Sequence, residues 1–186
     1  MKITALRLAG VFLIELEPIV DERGYFLRVY DEDVFAASGL NARWVQENQS
    51  HNGREGTVRG LHFQLQPHSE TKLVRVVGGK VWDVFVDLRR GSPSFGLWEA
   101  MELSAQRQNM VYIPRGLAHG YCTLTDESTV VYKTDRFYRP DHECAILWND
   151  SDLAIPWPVK NPILSARDRS NMTLAEFVRR HQGIDV

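Results

Sequence analysis

Apolar and polar residues alternate along most of this chain in short runs that glycine and proline interrupt. The segments Gly10–Leu16, Tyr25–Tyr30, Trp44–Gln49, Val58–Gln64 and Lys72–Val77 carry strand-length patterns. So do Lys80–Leu88, Leu97–Leu103, Met110–Ile113, Ala118–Leu124 and Thr129–Thr134. Period-two alternation and short apolar runs bounded by turn residues are strand signals. The first residues, Met1-Lys2-Ile3-Thr4, open in the same amphipathic strand pattern. Two segments read as helix: Glu32–Ala37, ended by Gly39, and Leu174–His181. In the second, Thr173 and Glu176 have capping-box spacing and Gly183 follows the end. Many short strands with few helices predict an all-β antiparallel sandwich or jelly roll. A stretch marked by Pro156, Pro158 and Pro162 is expected to wrap the surface as ordered loop.

One pairing can be read in register. Gly78-Gly79 has the form of a two-residue hairpin turn. Such a turn pairs Val77 with Lys80, Val76 with Val81, Val74 with Asp83 and Lys72 with Phe85. Alternation then sets Lys72, Val74, Val76, Val81, Asp83, Phe85 and Asp87 on one face. Lys72 and Asp83 become diagonal neighbours. Charges on an otherwise apolar face leave two readings, a solvated surface or the polar lining of a pocket.

Composition narrows the classes. A chain of 186 residues fits one domain, 1–186, with a sizeable core. A formal charge of -2 leaves no electrostatic footprint for nucleic acid or an anionic membrane. No apolar run is long enough to span a bilayer, and the N-terminus lacks a signal-peptide stretch, so a cytoplasmic location is expected. Cys122 and Cys144 are too few for a disulfide framework and read as small core residues.

A metal-binding barrel would offer a His-x-His pair, a Glu and a later His. Here Gln64 stands two residues after His62, with Glu70 and His119 as a poor remainder, so no metal is expected. Acid–base chemistry fits better. A lone strand histidine is most simply structural, but Lys72, Asp83, His119, Tyr132, Tyr138 and Asp168 all fall in or beside the same strands as His62. Proton abstraction beside a carbonyl needs a base near neutrality, an electrophile for the enolate oxygen and an acid on the opposite face. His, Lys and Tyr meet those needs in turn.

The segments Arg59-Gly60-Leu61-His62-Phe63-Gln64, Lys72-Leu73-Val74-Arg75-Val76, Asp83 to Arg89, Gly91 to Gly96 and Ile113 to Gly120 resemble the dTDP-4-dehydrorhamnose 3,5-epimerase family. Tyr132-Lys133-Thr134 with Tyr138, Trp148-Asn149-Asp150, Ile155 to Pro158 and Leu164 to Asp168 extend the likeness over nearly the whole chain, in order. The resemblance implies a cupin-type jelly roll, a homodimer, no metal or organic cofactor, and a nucleotide-diphosphate 4-keto-6-deoxy sugar as substrate. By motif match His62 is the base and Asp168 its dyad partner, fixing the imidazole tautomer. Lys72 stabilises the enolate at C4, and Tyr132 returns a proton from the other face. Arg23, Gln46, Asn48, Arg59, His119, Glu143 and Arg167 match substrate-binding positions, with Tyr25 and Tyr138 flanking the base. Arg23 and Arg59 would hold the diphosphate bidentately. Combined with the hairpin register, Asp83 is expected beside Lys72 in that site.

A C4 ketone acidifies the hydrogens at C3 and C5 through one enolate oxygen, so one site can invert both centres. Epimerisation at one carbon alone, or on another nucleotide, keeps the same chemistry. A non-catalytic sugar-binding module would not need His62, Asp168, Lys72 and Tyr132 together. Arg59 and His62 have opposite strand parity, and a bulge at Gly60 would let both face the site. The chain departs from the family pattern at Arg28, where a glutamate is usual, and the segment Asn48–Val58 is about one residue longer.

Overall fold

Strands form wherever the alternation is sustained. The computed structural model describes residues 1–41 and 43–186. The first strands are β1 (Lys2–Ala5), β2 (Phe12–Glu15), β3 (Ile19–Asp21), β4 (Gly24–Phe26) and β5 (Gln46–Asn52). Then come β6 (Val58–Gln64), β7 (Lys72–Gly78), β8 (Lys80–Asp87) and β9 (Trp98–Ser104). The last are β10 (Asn109–Ile113), β11 (Leu117–Thr123), β12 (Ser128–Thr134) and β13 (Glu143–Ala145). Helices α1 (Glu32–Ala37) and α2 (Leu174–His181) lie where capping signals place them. In α2 both halves of the capping box form, between Thr173 and Glu176. The strand expected over Tyr25–Tyr30 stops at Phe26, and β3 and β13 carried too few residues to show a pattern.

The order β1-β2-β10-β7-β12-β5 makes a six-stranded sheet, and β13-β6-β11-β8-β9 a five-stranded one. The two face each other as an all-β, cupin-like jelly roll. Between them pack Val74 and Val76 of β7, Val81 and Phe85 of β8, Val111, Leu117 and Val130, all buried. The outer face of the five-stranded sheet is also covered. Ile146, Leu153, Ile155 and Phe177 close over Leu61, Phe63, Val84 and Val86. The proline-marked stretch thus wraps the surface as ordered loop and buries part of itself. Near α1, Phe35 and Leu40 cap Ile14, Leu73 and Met110 on the other sheet. No helix among the described residues is long and apolar enough to cross a membrane.

The register expected across Gly78-Gly79 is overturned. Strand β7 pairs with β10 and β12, while β8 pairs with β11 and β9, so the turn carries the chain from one sheet to the other. The shared face survives in another form: both strands direct those residues inward, across the sandwich from each other. Lys72, Val74, Val76, Val81, Asp83, Phe85 and Asp87 are all buried. Asp83 is therefore not Lys72's sheet neighbour. Its carboxylate meets His119 at 2.9 Å instead. Asp87 is absorbed by the turn that follows it, accepting from Arg89, Ser92 and Ser94.

The bulge at Gly60 is present. His62 pairs with His119 and Arg59 with Tyr121, so β6 spends three steps where β11 spends two. The extra residue brings Arg59 and His62 to the same side. Only glycine fits, because Gly60 has φ +141° and a Cβ there would lie 2.5 Å from Gly120 Cα. The obstacle is backbone and cannot rotate away. We expect Gly60→Ala to cost at least about 2 kcal/mol of unfolding free energy by chemical denaturation. A variant as stable as wild type would show that the two backbones part easily.

Candidate active site

The inward positions of both sheets are apolar at one end of the sandwich and polar at the other. At the polar end they enclose a cavity of about 250 Å³. Strand β5 shows how: Gln46, Asn48 and Ser50 share one parity and line the wall, while Glu47, Gln49 and His51 face outward.

His62 reaches the cavity from β6, in the five-stranded sheet. Its Nε2 lies 2.6 Å from Asp168 Oδ1. Asp168 is buried behind the ring and also accepts from Ser165 Oγ at 2.8 Å and Asn171 Nδ2 at 3.4 Å. Burial alone would raise the Asp168 carboxyl, but these bonds outweigh it and hold the group below its ordinary value. With Nε2 engaged, no described residue bonds Nδ1, and that nitrogen is left to act. Tyr132 faces the cavity from β12, in the opposite sheet. Burial, with Glu70 and Glu143 nearby, pushes its phenol up, so the hydroxyl stays protonated at neutral pH. Imidazole and phenol thus stand on opposite walls.

Lys72 enters at the start of β7. Its ammonium lies 3.3 Å from Glu70 Oε1 and donates to the His62 carbonyl at 3.2 Å. Glu70 in turn accepts from Gln64 Nε2 at 2.9 Å, and Gln64 Oε1 accepts from the Arg139 amide at 2.6 Å. Gln64 is thus spent on the cavity wall, both ends of its amide committed. His119 lines the floor beside His62, with Asp83 fully buried beneath it. The other carboxylate oxygen of Asp83 has no partner among the described residues.

Gln46, Asn48, Arg59, Tyr138 and Glu143 line the cavity as well. Burial would raise the Glu143 carboxyl, but hydrogen bonds from Tyr138 and Arg167 hold it below its ordinary value. Arg167 is reached through that contact, 2.6 Å from Glu143, and is not itself on the wall. Arg23 and Tyr25 are not brought in. They sit on the exposed β3–β4 ribbon, where Arg23 pairs with Asp21 and Tyr25 meets Gln108. Arg28 is exposed and pairs with Asp31 at the start of α1, 3.3 Å away. The reading of the sequence missed Ser50, Tyr121, Thr134 and Arg136 on the wall. Parity with Asn48, His119 and Tyr132 was the available signal for the first three. Arg136 follows the end of β12, where parity no longer applies.

Comparison with known proteins gives one consistent result. A family model described as dTDP-4-dehydrorhamnose 3,5-epimerase matches residues 5–176. The chain is 44% identical to the dTDP-4-dehydrorhamnose 3,5-epimerase of Shigella flexneri over 169 residues, 90% of this chain and 93% of that one. It is 42% identical to the dTDP-4-dehydrorhamnose 3-epimerase of Streptomyces niveus over 177 residues, 95% of this chain and 85% of that one. The crystal structure of the Bacillus anthracis 3,5-epimerase, with TDP and PPi bound, superposes with a TM-score of 0.91 at 43% identity. It covers 93% of this chain and 99% of its own.

Asp168 also makes the dyad sensitive to acid. Its carboxyl is lowered in the fold, so the ionised form adds stability above the unfolded value near pH 4 and loses it as pH falls through the lower folded value. Asp168→Asn should therefore lower the unfolding midpoint at neutral pH, and the gap from wild type should close below about pH 4. A gap that is constant with pH would mean that the Asp168 charge contributes nothing.

Proposed function

The chain belongs to the dTDP-4-dehydrorhamnose 3,5-epimerase family, a family of isomerases, and from that premise we propose that it inverts C3 and C5 of a dTDP-linked 4-keto-6-deoxyhexose in deoxysugar synthesis. The observation that carries the reading is the opposition of the His62–Asp168 dyad and Tyr132 across one cavity. His62 Nδ1 takes the proton from C3, and the C–H electron pair moves onto the C4 oxygen as an enolate. Asp168 stabilises the imidazolium so formed. Lys72, held by Glu70 and the His62 carbonyl, offers its ammonium to the enolate oxygen. Tyr132 then gives its proton to the carbon from the opposite face as the enolate collapses to the ketone. Proton exchange with water restores both groups, and the same cycle follows at C5. Every proton and electron pair is accounted for by these side chains and exchange with water, so the reading needs no metal and no organic cofactor.

Arg59 takes the diphosphate, His119, Gln46 and Asn48 meet polar groups of the substrate, and Tyr138, backed by Glu143 and Arg167, flanks the base. Arg23 and Tyr25 fit this scheme through a homodimer. Their ribbon exposes Ile19, Val20, Tyr25 and Phe26 at 60% or more, an apolar surface suited to a second copy of the chain. The enzyme works in the cytoplasm as one domain spanning 1–186. A second reading has a specific basis, the 42% identity to an enzyme named for epimerisation at C3 alone.

Proton NMR of dTDP-4-keto-6-deoxyglucose with enzyme in deuterated water separates these readings. Loss of the C3 and C5 signals supports double inversion, loss at C3 alone supports the second reading, and no exchange sinks both. His62→Ala should slow wash-in at both carbons by about 10²–10⁴-fold with the fold intact. Tyr132→Phe should slow epimerisation more than exchange, since abstraction survives. Equal loss of both would make Tyr132 a binding residue and not the acid.

A further inference from the structure

Lys72 on the cavity wall and two arginines beyond it are matched by carboxylates of the same chain. Lys72 lies 3.3 Å from Glu70, Arg167 2.6 Å from Glu143 and Arg115 2.6 Å from Asp135. The wall arginines are held differently: Arg136 donates from Nη1 to the Asp135 carbonyl at 3.0 Å, and the other is Arg59. Its Nε donates to the side-chain carbonyl of Asn52 at 2.8 Å, and its Nη2 lies 3.5 Å from the His51 carbonyl. Among the described residues no carboxylate forms an ion pair with it.

Asn52 is buried at the end of β5, opposite Ser128. Its Nδ2 donates to the Ser128 carbonyl at 3.1 Å and to the Tyr121 hydroxyl at 3.4 Å. Tyr121 is buried in turn and shares a hydrogen bond of 2.8 Å with Ser50 Oγ. These partners are satisfied by the NH2 end of the amide, which leaves Oδ1 facing Arg59. The guanidinium is therefore gripped by a side chain that is itself fixed on the side away from it.

We propose that Asn52 is a positioning residue for anion binding: it anchors Arg59 through a neutral acceptor, which sets the direction of the guanidinium and leaves its charge for the substrate diphosphate. The proposal rests on the reading of Arg59 as a diphosphate ligand. An acceptor at Nε leaves the Nη groups to form the two parallel bonds that phosphate oxygens accept. A carboxylate at position 52 would aim the guanidinium equally well but would compete with phosphate for its charge. An apolar residue would leave the charge but free the side chain to turn.

The test compares binding of dTDP and of thymidine, which lacks phosphate, by calorimetry, with kcat and KM measured on the dTDP-ketosugar. Asn52→Asp and Asn52→Leu should each weaken dTDP about tenfold and raise KM in step, with thymidine binding and kcat close to wild type. Asn52→Asp should also flatten the salt dependence of dTDP binding, because the local positive charge is cancelled. Wild-type dTDP affinity in both variants, with Arg59→Met weakened, would overturn the role of Asn52 and keep that of Arg59. Wild-type affinity in Arg59→Met would overturn the reading of Arg59 itself. Equal losses for dTDP and thymidine would make Asn52 merely structural and sink the proposal. If neither Asn52 variant folds, Tyr121→Phe decides, since it loosens the anchor and keeps the Arg59 side chain itself. A fall of about threefold for dTDP alone supports the proposal there, and an unchanged dTDP:thymidine ratio overturns it.

Discussion

The hydrogen bond between His62 and Asp168 joins residues 106 apart in the chain, and the site depends on keeping it short. His62 is delivered by β6, whose bulge at Gly60 sets the ring's direction. Asp168 comes from the segment that returns over the outside of the five-stranded sheet. That segment is stitched down on either side of Asp168. The Ile163 amide donates to Gly56 and the Val58 amide to Ile163, while the Leu147 amide donates to Met172. Phe177 of α2 then packs edge-on against Phe63, next to His62 in β6. The apolar cover of the sheet and the orientation of the His62 imidazole are thus one construction. Loosening the cover would lengthen the bond that fixes the imidazole.

Burying charge in the same sandwich is costly unless each charge has a partner. The cavity meets this with pairs: Lys72 with Glu70, His119 with Asp83 and His62 with Asp168. Asp83 is the exception, since one of its oxygens is buried without a partner among the described residues. An unmet buried acceptor of this kind costs roughly 1–3 kcal/mol. The apolar interior at the other end, around Val74, Phe85, Val111 and Val130, offsets such costs by burying surface on both sheets. Function and stability are divided by position along the strands, with Lys72 and Val76 at the two ends of one inward face of β7.

How much of this was legible in the sequence follows from what periodicity measures. Parity along a strand survives folding, so the inward set from Lys72 to Asp87 was right and both helices fell at their caps. Pairing is another matter. Two inward faces look alike whether their strands lie side by side or opposite, and Gly78-Gly79 permits either. Here Gly79 sits at φ +68° against Ser128 and Thr125, and the chain crosses between sheets. Short pieces such as Glu143–Ala145 hold no period at all. The family likeness supplied the roles proposed for His62, Tyr132, Lys72 and Asp168. The strand geometry explains why residues so far apart line one cavity, but the hold of Asn52 on Arg59 became visible only as a contact.

The arginines divide along the same line. Arg23 and Arg28 lie on the exposed segment that ends at α1, and each is paired with an aspartate within three residues of it. Exposed pairs of this kind contribute little, about 0–1 kcal/mol, because water screens the charge and long side chains lose freedom to meet. Arg23 can therefore leave Asp21 for a phosphate at small cost, but it must first be brought to one. Arg59 already stands on the cavity wall and, among the described residues, has no carboxylate to leave. The charge available to a diphosphate is thus set less by how many arginines the sequence contains than by what holds each of them, and at the cavity wall a neutral amide holds Arg59.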